Sequence, residues 1–262
     1  MSSEPTGPKG AAREVSAGRR ITIGGAPISY VALFAAAIGV TALIPFAILI
    51  STGQAFPFSE FLIPLCGIIL GPIGGFVAGL VGGFIGLAIA PYTAPNGILS
   101  PITPALGAMA TGFLVQKGKR AWWGTVIIVV ALIVFNVKGI FINKVNPLWW
   151  LFAAILVAWI ALILELTPLR PLAANWLRSK NYLLVAIGLV FISFMGTCTA
   201  MIVNNSIGFW LYQVPNDIWP AFIPVVQTER TIVTIGSTII GLGVIAGLRQ
   251  LKMVRPSEGG WY

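Results

Sequence analysis

The sequence predicts an all-α, polytopic integral membrane helix bundle. Of its 262 residues, 57% are hydrophobic and only 9% charged, against roughly a quarter charged in a soluble domain. Apolar runs repeatedly reach the roughly 20 residues that cross a hydrocarbon core of about 30 Å. The lysines and arginines gather in short segments between those runs, as in cytoplasmic loops. A transmembrane barrel would show alternating strands of about ten residues instead. The net charge of +9 is therefore read as loop charge, and no nucleic-acid partner is expected.

Residues 1–28 are polar, basic and rich in Gly, Pro and Ser, which predicts a disordered cytoplasmic tail. They lack the short n-region of a cleaved signal. Arg19-Arg20 admits a twin-arginine reading, but a positive anchor that keeps this end inside fits better. The transmembrane domain is expected over 29–251, followed by a short cytoplasmic tail at 252–262. Within it, apolar segments fall at 29–50, 58–70, 72–91, 98–116, 121–143, 147–166, 181–205 and 220–248.

The second segment is short and carries Pro64 and Gly67, so half a span or a re-entrant piece is one reading. Charge favours two crossings joined by a turn at Gly71-Pro72. With eight spans and both termini cytoplasmic, Lys9, Arg13, Arg19, Arg20, Lys117, Lys119, Arg120, Arg170, Arg178, Lys180, Arg249, Lys252 and Arg255 lie inside. Only Lys138, Lys144 and Arg230 fall in or near the outer half, the bias the positive-inside rule demands. Fusing 58–91 would split these clusters across the membrane and need a helix of about 50 Å.

The outward loops are then Ser51–Pro57, Tyr92–Gly97, Asn143–Pro147 and Ser206–Pro220, with Arg170–Lys180 an inward one. Trp149, Trp150, Trp210 and Trp219 are placed at the outer interface, and Trp122, Trp123 and Trp176 at the inner one. Cys66 and Cys198 lie within spans and read as small apolar fillers, without a disulfide.

Gly71, Gly75, Gly79, Gly83 and Gly86 recur at helical spacing. In lipid, small residues every fourth position let backbones approach closely. An intramolecular seam is the weightier reading, and a partner-docking face through Gly75, Gly79 and Gly83 the other. On the first span, Ala32 and Ala36 form one small-residue line, with Ala35 and Gly39 beside it. The same two readings apply there, with more weight on a partner because a terminal helix is peripheral.

Polar residues inside a span are costly and become candidates for function. Ser193, Thr197 and Asn204 share a line on the seventh span, which an interhelical hydrogen-bond seam also explains. Asn204 and Asn205, adjacent amides at its outer end, suit a polar ligand. Glu229 and Arg230 fall near the outer edge of the last span. Adjacent helical residues point about 100° apart, which argues against simple mutual neutralisation. Arg230 either snorkels to headgroups or lines a cavity with Glu229 and grips a carboxylate or phosphate. Glu60 is a ligand contact or, with more weight, a helix-N-terminal charge. Tyr92 and Asn96 are ligand contacts or turn residues. Asn136 and Lys138 carry little functional weight, and Glu165 near Arg170 reads as structural.

The chain has no histidine, which disfavours imidazole-based metal, haem and proton-relay chemistry. No Walker A pattern, nucleophile elbow or Mg²⁺-holding acidic cluster appears. No catalysis, cofactor or metal is expected.

The run "FPFSEFLIPLCGIILGPIGGFVAGLVGGFIG", followed by "ITPALGAMATGFLVQKGKR", resembles the substrate-binding S components of energy-coupling-factor (ECF) transporters. The segment "ERTIVTIGSTIIGLGVIAGLRQL" is similar to their last helix. The resemblance implies a substrate-capture subunit of a vitamin or related nutrient importer in a prokaryotic inner or plasma membrane. It implies a transmembrane coupling subunit and two cytoplasmic ATPases as partners, besides lipid and the small-molecule substrate. The family's Ala-x-x-x-Ala docking pattern would map to Ala32 and Ala36, and Ser51–Pro57 would lie over the ligand site. The family has six spans, so the pair at 121–166 would be an addition to a six-span core. An autonomous secondary transporter, or a non-transporting accessory subunit of a larger complex, are the competing expectations.

Overall fold

Gly24 and Gly25 make the first turn of the described chain. In the computed structural model, which describes residues 21–49, 54–143, 156–212 and 219–250, both take positive φ. They join strands β1 (Thr22–Ile23) and β2 (Ala26–Pro27) as a two-residue hairpin. A type I′ turn requires left-handed backbone at both central positions, which glycine adopts without a Cβ clash. Ala26 is fully buried and Gly24 packs on Ile73. The expected tail boundary at residue 28 is thus corrected, because residues 22–27 are folded onto the bundle. Residues 1–20 and the C-terminal tail lie outside the described residues.

Helix α1 (Ile28–Thr41) is about 21 Å long, shorter than the single span expected over 29–50. After Thr41 the chain turns, and strand β3 (Pro45–Leu49) pairs antiparallel with β4 (Gln54–Pro57). Pro45 has no N–H to extend a helix, and the apolar run continues as one arm of a β-hairpin. Part of the expected Ser51–Pro57 loop is therefore a strand; residues 51–53 lie outside the described set.

A 3₁₀ turn at Phe58–Phe61 leads into α2 (Ile63–Ile89). Counted by length, α2 is one 27-residue span. Its backbone says otherwise, because Gly71 breaks helical geometry with φ 76° and ψ −179° just before Pro72. The chain doubles back there, since Cys66 Sγ lies 3.7 Å from the Gly75 carbonyl oxygen. The two arms are Ile63–Leu70 and Pro72–Ile89, and the first is buried along its whole length. A turn at Gly71-Pro72 is thus present, in a hairpin tight enough to need Gly67 facing Gly75.

After two 3₁₀ turns, Pro91–Thr93 and Gly97–Leu99, α3 (Ile102–Val115) returns along the long arm of α2. Gly79 faces the Pro104 carbonyl, Gly83 faces Pro101, and Gly75 faces the Ala108 carbonyl. The partner-docking reading of Gly75, Gly79 and Gly83 is corrected accordingly: their face is occupied by α3 of the same chain. A second ribbon, Gly74, Ala78, Gly82 and Gly86, faces the other way. Gly74 meets Ala26, Gly82 meets Ala35 and Ile38, and Gly86 meets Ala42. The helix is therefore clasped between α1 and α3, at the close backbone distances that small residues allow.

Helix α4 (Lys119–Asn143) and the described part of the next segment, α5 (Leu156–Leu164), pack on α7 (Tyr182–Leu211). Their core joins Ile128, Val129, Leu132, Ala158, Ala161 and Leu162 to Cys198 and Ile202. Short helix α6 (Leu169–Leu177) replaces the loop expected at 170–180, with Arg170, Ala173, Ala174 and Leu177 buried. Helix α7 runs to Leu211, so the loop expected from Ser206 begins later. Helix α8 spans Trp219–Gln250, and residues 213–218 lie outside the described set. Thr111 packs on Gly196 and Gly107 on Ala200, which seats α3 against α7. Among the described residues, five helices, with α2 counted as one, are long and apolar enough to cross a membrane, and the chain is a multi-pass helical membrane bundle.

Arginines close one end. Arg170 donates to the carbonyls of Phe113 (2.7 Å) and Gln116 (3.1 Å), and Arg178 to that of Val115 (2.8 Å). These are the orphan carbonyls at the C-terminus of α3, where cations are favoured. Arg249 does the same for Leu177 and Ser179. At this end Trp122 and Trp123 are exposed, while Trp176 packs on Phe191. Trp210 stacks on Phe135. Trp149, Trp150 and the side chains of Trp219 and Lys138 are outside the described set.

Candidate functional site

The other end of the bundle holds a cavity of about 140 Å³. Its roof is the β3–β4 hairpin, which contributes Ala55, Phe56 and Pro57. Gly82, Gly83 and Gly86 of α2 contribute to one wall. Ser100 and Pro101 just before α3, Thr103 and Pro104 on it, Asn204 and Asn205 of α7, and Glu229 and Arg230 of α8 complete it. The hairpin is held over the bundle by an aromatic cluster, with Phe46 5.0 Å and Phe58 4.7 Å from Phe61 between ring centroids. Ser237 donates to the Phe61 carbonyl at 2.9 Å, which ties the turn before α2 to α8.

Five of the seven predicted ligand residues line this space: Glu60, Asn204, Asn205, Glu229 and Arg230. Arg230 is buried rather than snorkelled. It forms an ion pair with Glu229 and lies 3.6 Å from Glu60 Oε2 through Nη1. The same Nη1 donates to the Thr197 carbonyl at 3.1 Å. The expectation that neighbours 229 and 230 do not neutralise each other is corrected. Their Cβ atoms diverge, but the long arginine side chain curls back to the carboxylate, and both residues are buried.

Asn96 and Tyr92 stand apart from the cavity lining. Asn96 is buried and donates through Nδ2 to both the backbone oxygen and Oδ1 of Asn204, each at 2.9 Å. It orients Asn204 rather than facing the space. Tyr92 is half exposed and donates to the Leu43 carbonyl at 3.0 Å, so it pins the chain between α1 and the hairpin.

Sequence reasoning passed over Ser59 and Thr103, which also line the cavity. Thr103 opens a line of buried small and hydroxyl residues, Thr103, Gly107 and Thr111, at helical spacing. That line was the available signal. Deeper in the bundle, Glu165 accepts from Thr199 at 2.8 Å, and Asn136 hydrogen-bonds Ser206 across α4 and α7. Both are interhelical ties, and neither Glu165 nor Asn136 is among the lining residues. Ser193 is buried on α7, and its hydroxyl has no hydrogen-bond partner among the described residues.

Ala32 and Ala36 are exposed on α1, flanked by exposed Leu33 and Val40. Ala35 and Gly39 point the other way and pack on α2. Among the described residues, no group of three His, Cys, Asp or Glu is arranged to hold a metal ion.

No protein-family model matches the chain, and comparison with curated proteins and with solved structures likewise finds no match.

Proposed function

We propose that the chain is the membrane-embedded substrate-capture subunit of a nutrient importer, energised by ATPases on partner subunits. The observation that carries this reading is the convergence of Glu60, Asn204, Asn205, Glu229 and Arg230 on one cavity under the β3–β4 hairpin. A mostly apolar pocket with a few convergent polar groups is the usual form of a small-molecule site. Ionisable side chains at membrane depth are costly and are kept where they act.

In this reading the chain crosses a prokaryotic inner or plasma membrane eight times, with both termini in the cytoplasm. The Gly71-Pro72 turn joins the second and third crossings, the second including the 3₁₀ turn at Phe58–Phe61, α4 and α5 are the pair added to a six-span ECF-like core, and the cavity opens outward. The exposed Ala32–Ala36 face of α1 meets a transmembrane coupling subunit.

Both native cysteines are buried, so single cysteines introduced at Ala94 and at Lys117 report sidedness cleanly. Impermeant maleimide on intact cells is expected to label position 94 and spare position 117; labelling of position 117 from outside overturns the topology. For the function itself, the protein purified in mild detergent is analysed by native mass spectrometry and the bound small molecules are extracted. A stoichiometric metabolite supports capture. Uptake by proteoliposomes containing this chain alone would instead favour a secondary transporter. A stoichiometric protein partner without any ligand would favour an accessory subunit.

A further inference from the structure

We infer that the cavity takes a small organic cation, an amine or amidine in its protonated form; this rests on the capture reading above. The charges that line the space do not cancel. Among the described lining residues, Glu60 and Glu229 are acidic and Arg230 is the only basic one. The guanidinium is already committed to Glu229, to Glu60 and to the Thr197 carbonyl. An incoming anion would find Nη1 and Nη2 engaged and would face two carboxylates. One formal negative charge is left for a ligand to balance. Glu60 is the looser of the two acids, with 17% of its side chain exposed against 5% for Glu229.

A second, independent observation also points to a ligand. Thr103 lines the cavity and is only 8% exposed, yet its hydroxyl oxygen has no hydrogen-bond partner among the described residues. Arg230 Nε, 6% exposed as a residue, is likewise unpartnered. Buried polar groups are normally paired. A ligand ammonium supplies donors to the Glu60 carboxylate and to Thr103 Oγ1, and a ligand oxygen supplies the acceptor that Arg230 Nε lacks. Phe56, in the roof, offers an aromatic face to the cation or to its apolar body. The volume is close to the roughly 150 Å³ that admits a benzene ring, which sets the size class.

The test uses the full-length protein in mild detergent and three matched probes: benzylammonium, benzyl alcohol and benzoate. Isothermal titration is expected to show benzylammonium binding at least tenfold tighter than either of the others. Glu60→Gln is expected to weaken benzylammonium at least tenfold and leave benzyl alcohol unchanged. Thr103→Val provides a second, isosteric variant and should weaken the cation several-fold. Benzoate or benzyl alcohol binding as tightly as the amine, or indifference of the amine to both substitutions, overturns the charge assignment and leaves capture standing. Failure of all three probes to bind, with no metabolite released from the purified protein, overturns both. If a metabolite is released, its charge decides: a cation supports the inference and an anion or neutral molecule overturns it.

Discussion

A Cβ built on Gly75 would lie 2.9 Å from the Cα of Gly67, although the two glycines are eight positions apart in the chain. Two antiparallel helical arms meet at that point without side chains between them. The reversal depends on Gly71, whose φ of 76° and ψ of −179° place it where essentially only glycine is found. Gly71→Ala is therefore expected to destabilise the protein by about 1–3 kcal/mol. Gly75→Ala is expected to cost a similar amount through overpacking, about 1–3 kcal/mol. Gly243→Ala is the control: nothing lies within 4 Å of its added Cβ, and the helix gains up to about 1 kcal/mol of propensity. Thermal unfolding in detergent, followed by fluorescence-detected size exclusion, reads all three.

Arg230 holds two carboxylates away from water. Arg230→Met leaves the buried Glu229 and the partly exposed Glu60 without a counter-charge, and breaking a buried pair costs about 3–5 kcal/mol. The triple variant Glu60→Gln, Glu229→Gln, Arg230→Met removes every charge and should recover much of that stability. The same melting assay checks both, and recovery of less than about 1 kcal/mol would contradict the ion-pair account.

Asn136 and Ser206 join α4 to α7 by a side-chain hydrogen bond. Such bonds in membrane bundles average about 0.6 kcal/mol, with a maximum near 1.7. Asn136→Leu should lower stability within that range in the same melting assay.

Ala32→Trp and Ala36→Trp place bulk on an exposed face, so the isolated subunit should melt within about 0.5 kcal/mol of the unaltered chain. Loss of a co-purifying coupling subunit in these variants, with retention of bound small molecule, is the result the docking proposal requires.

Much of the bundle is legible in the sequence because hydropathy and small-residue spacing act locally. The Gly71-Pro72 turn and helices α3, α4, α7 and α8 follow from those two signals. The β3–β4 hairpin does not, since residues 42–49 are as apolar as the helix before them and only Pro45 marks the change. Gly24-Gly25 between Thr22-Ile23 and Ala26-Pro27 was a readable hairpin signal, masked by the basic composition of the residues before it. Helix α6 hides behind Pro168 and Pro171, although Leu169, Leu172, Ala173, Trp176 and Leu177 keep helical spacing. For the site, costly polar residues pointed to five of the lining side chains. What sequence could not supply was direction: whether Arg230 faces headgroups or acids depends on which helix stands beside it, and Glu60 is 170 positions away.

The two glycine ribbons on α2 leave that helix with very little freedom to drift. At the glycines of both clasped flanks an added methyl group would crowd a neighbouring element, while a strip including Ile73, Val81 and Phe84 remains open to lipid. Sequences that diverge from this one while keeping its architecture should therefore vary along that strip, exchanging one greasy residue for another, and stay fixed on the flanks. A saturation library scored for surface expression would draw the same stripe.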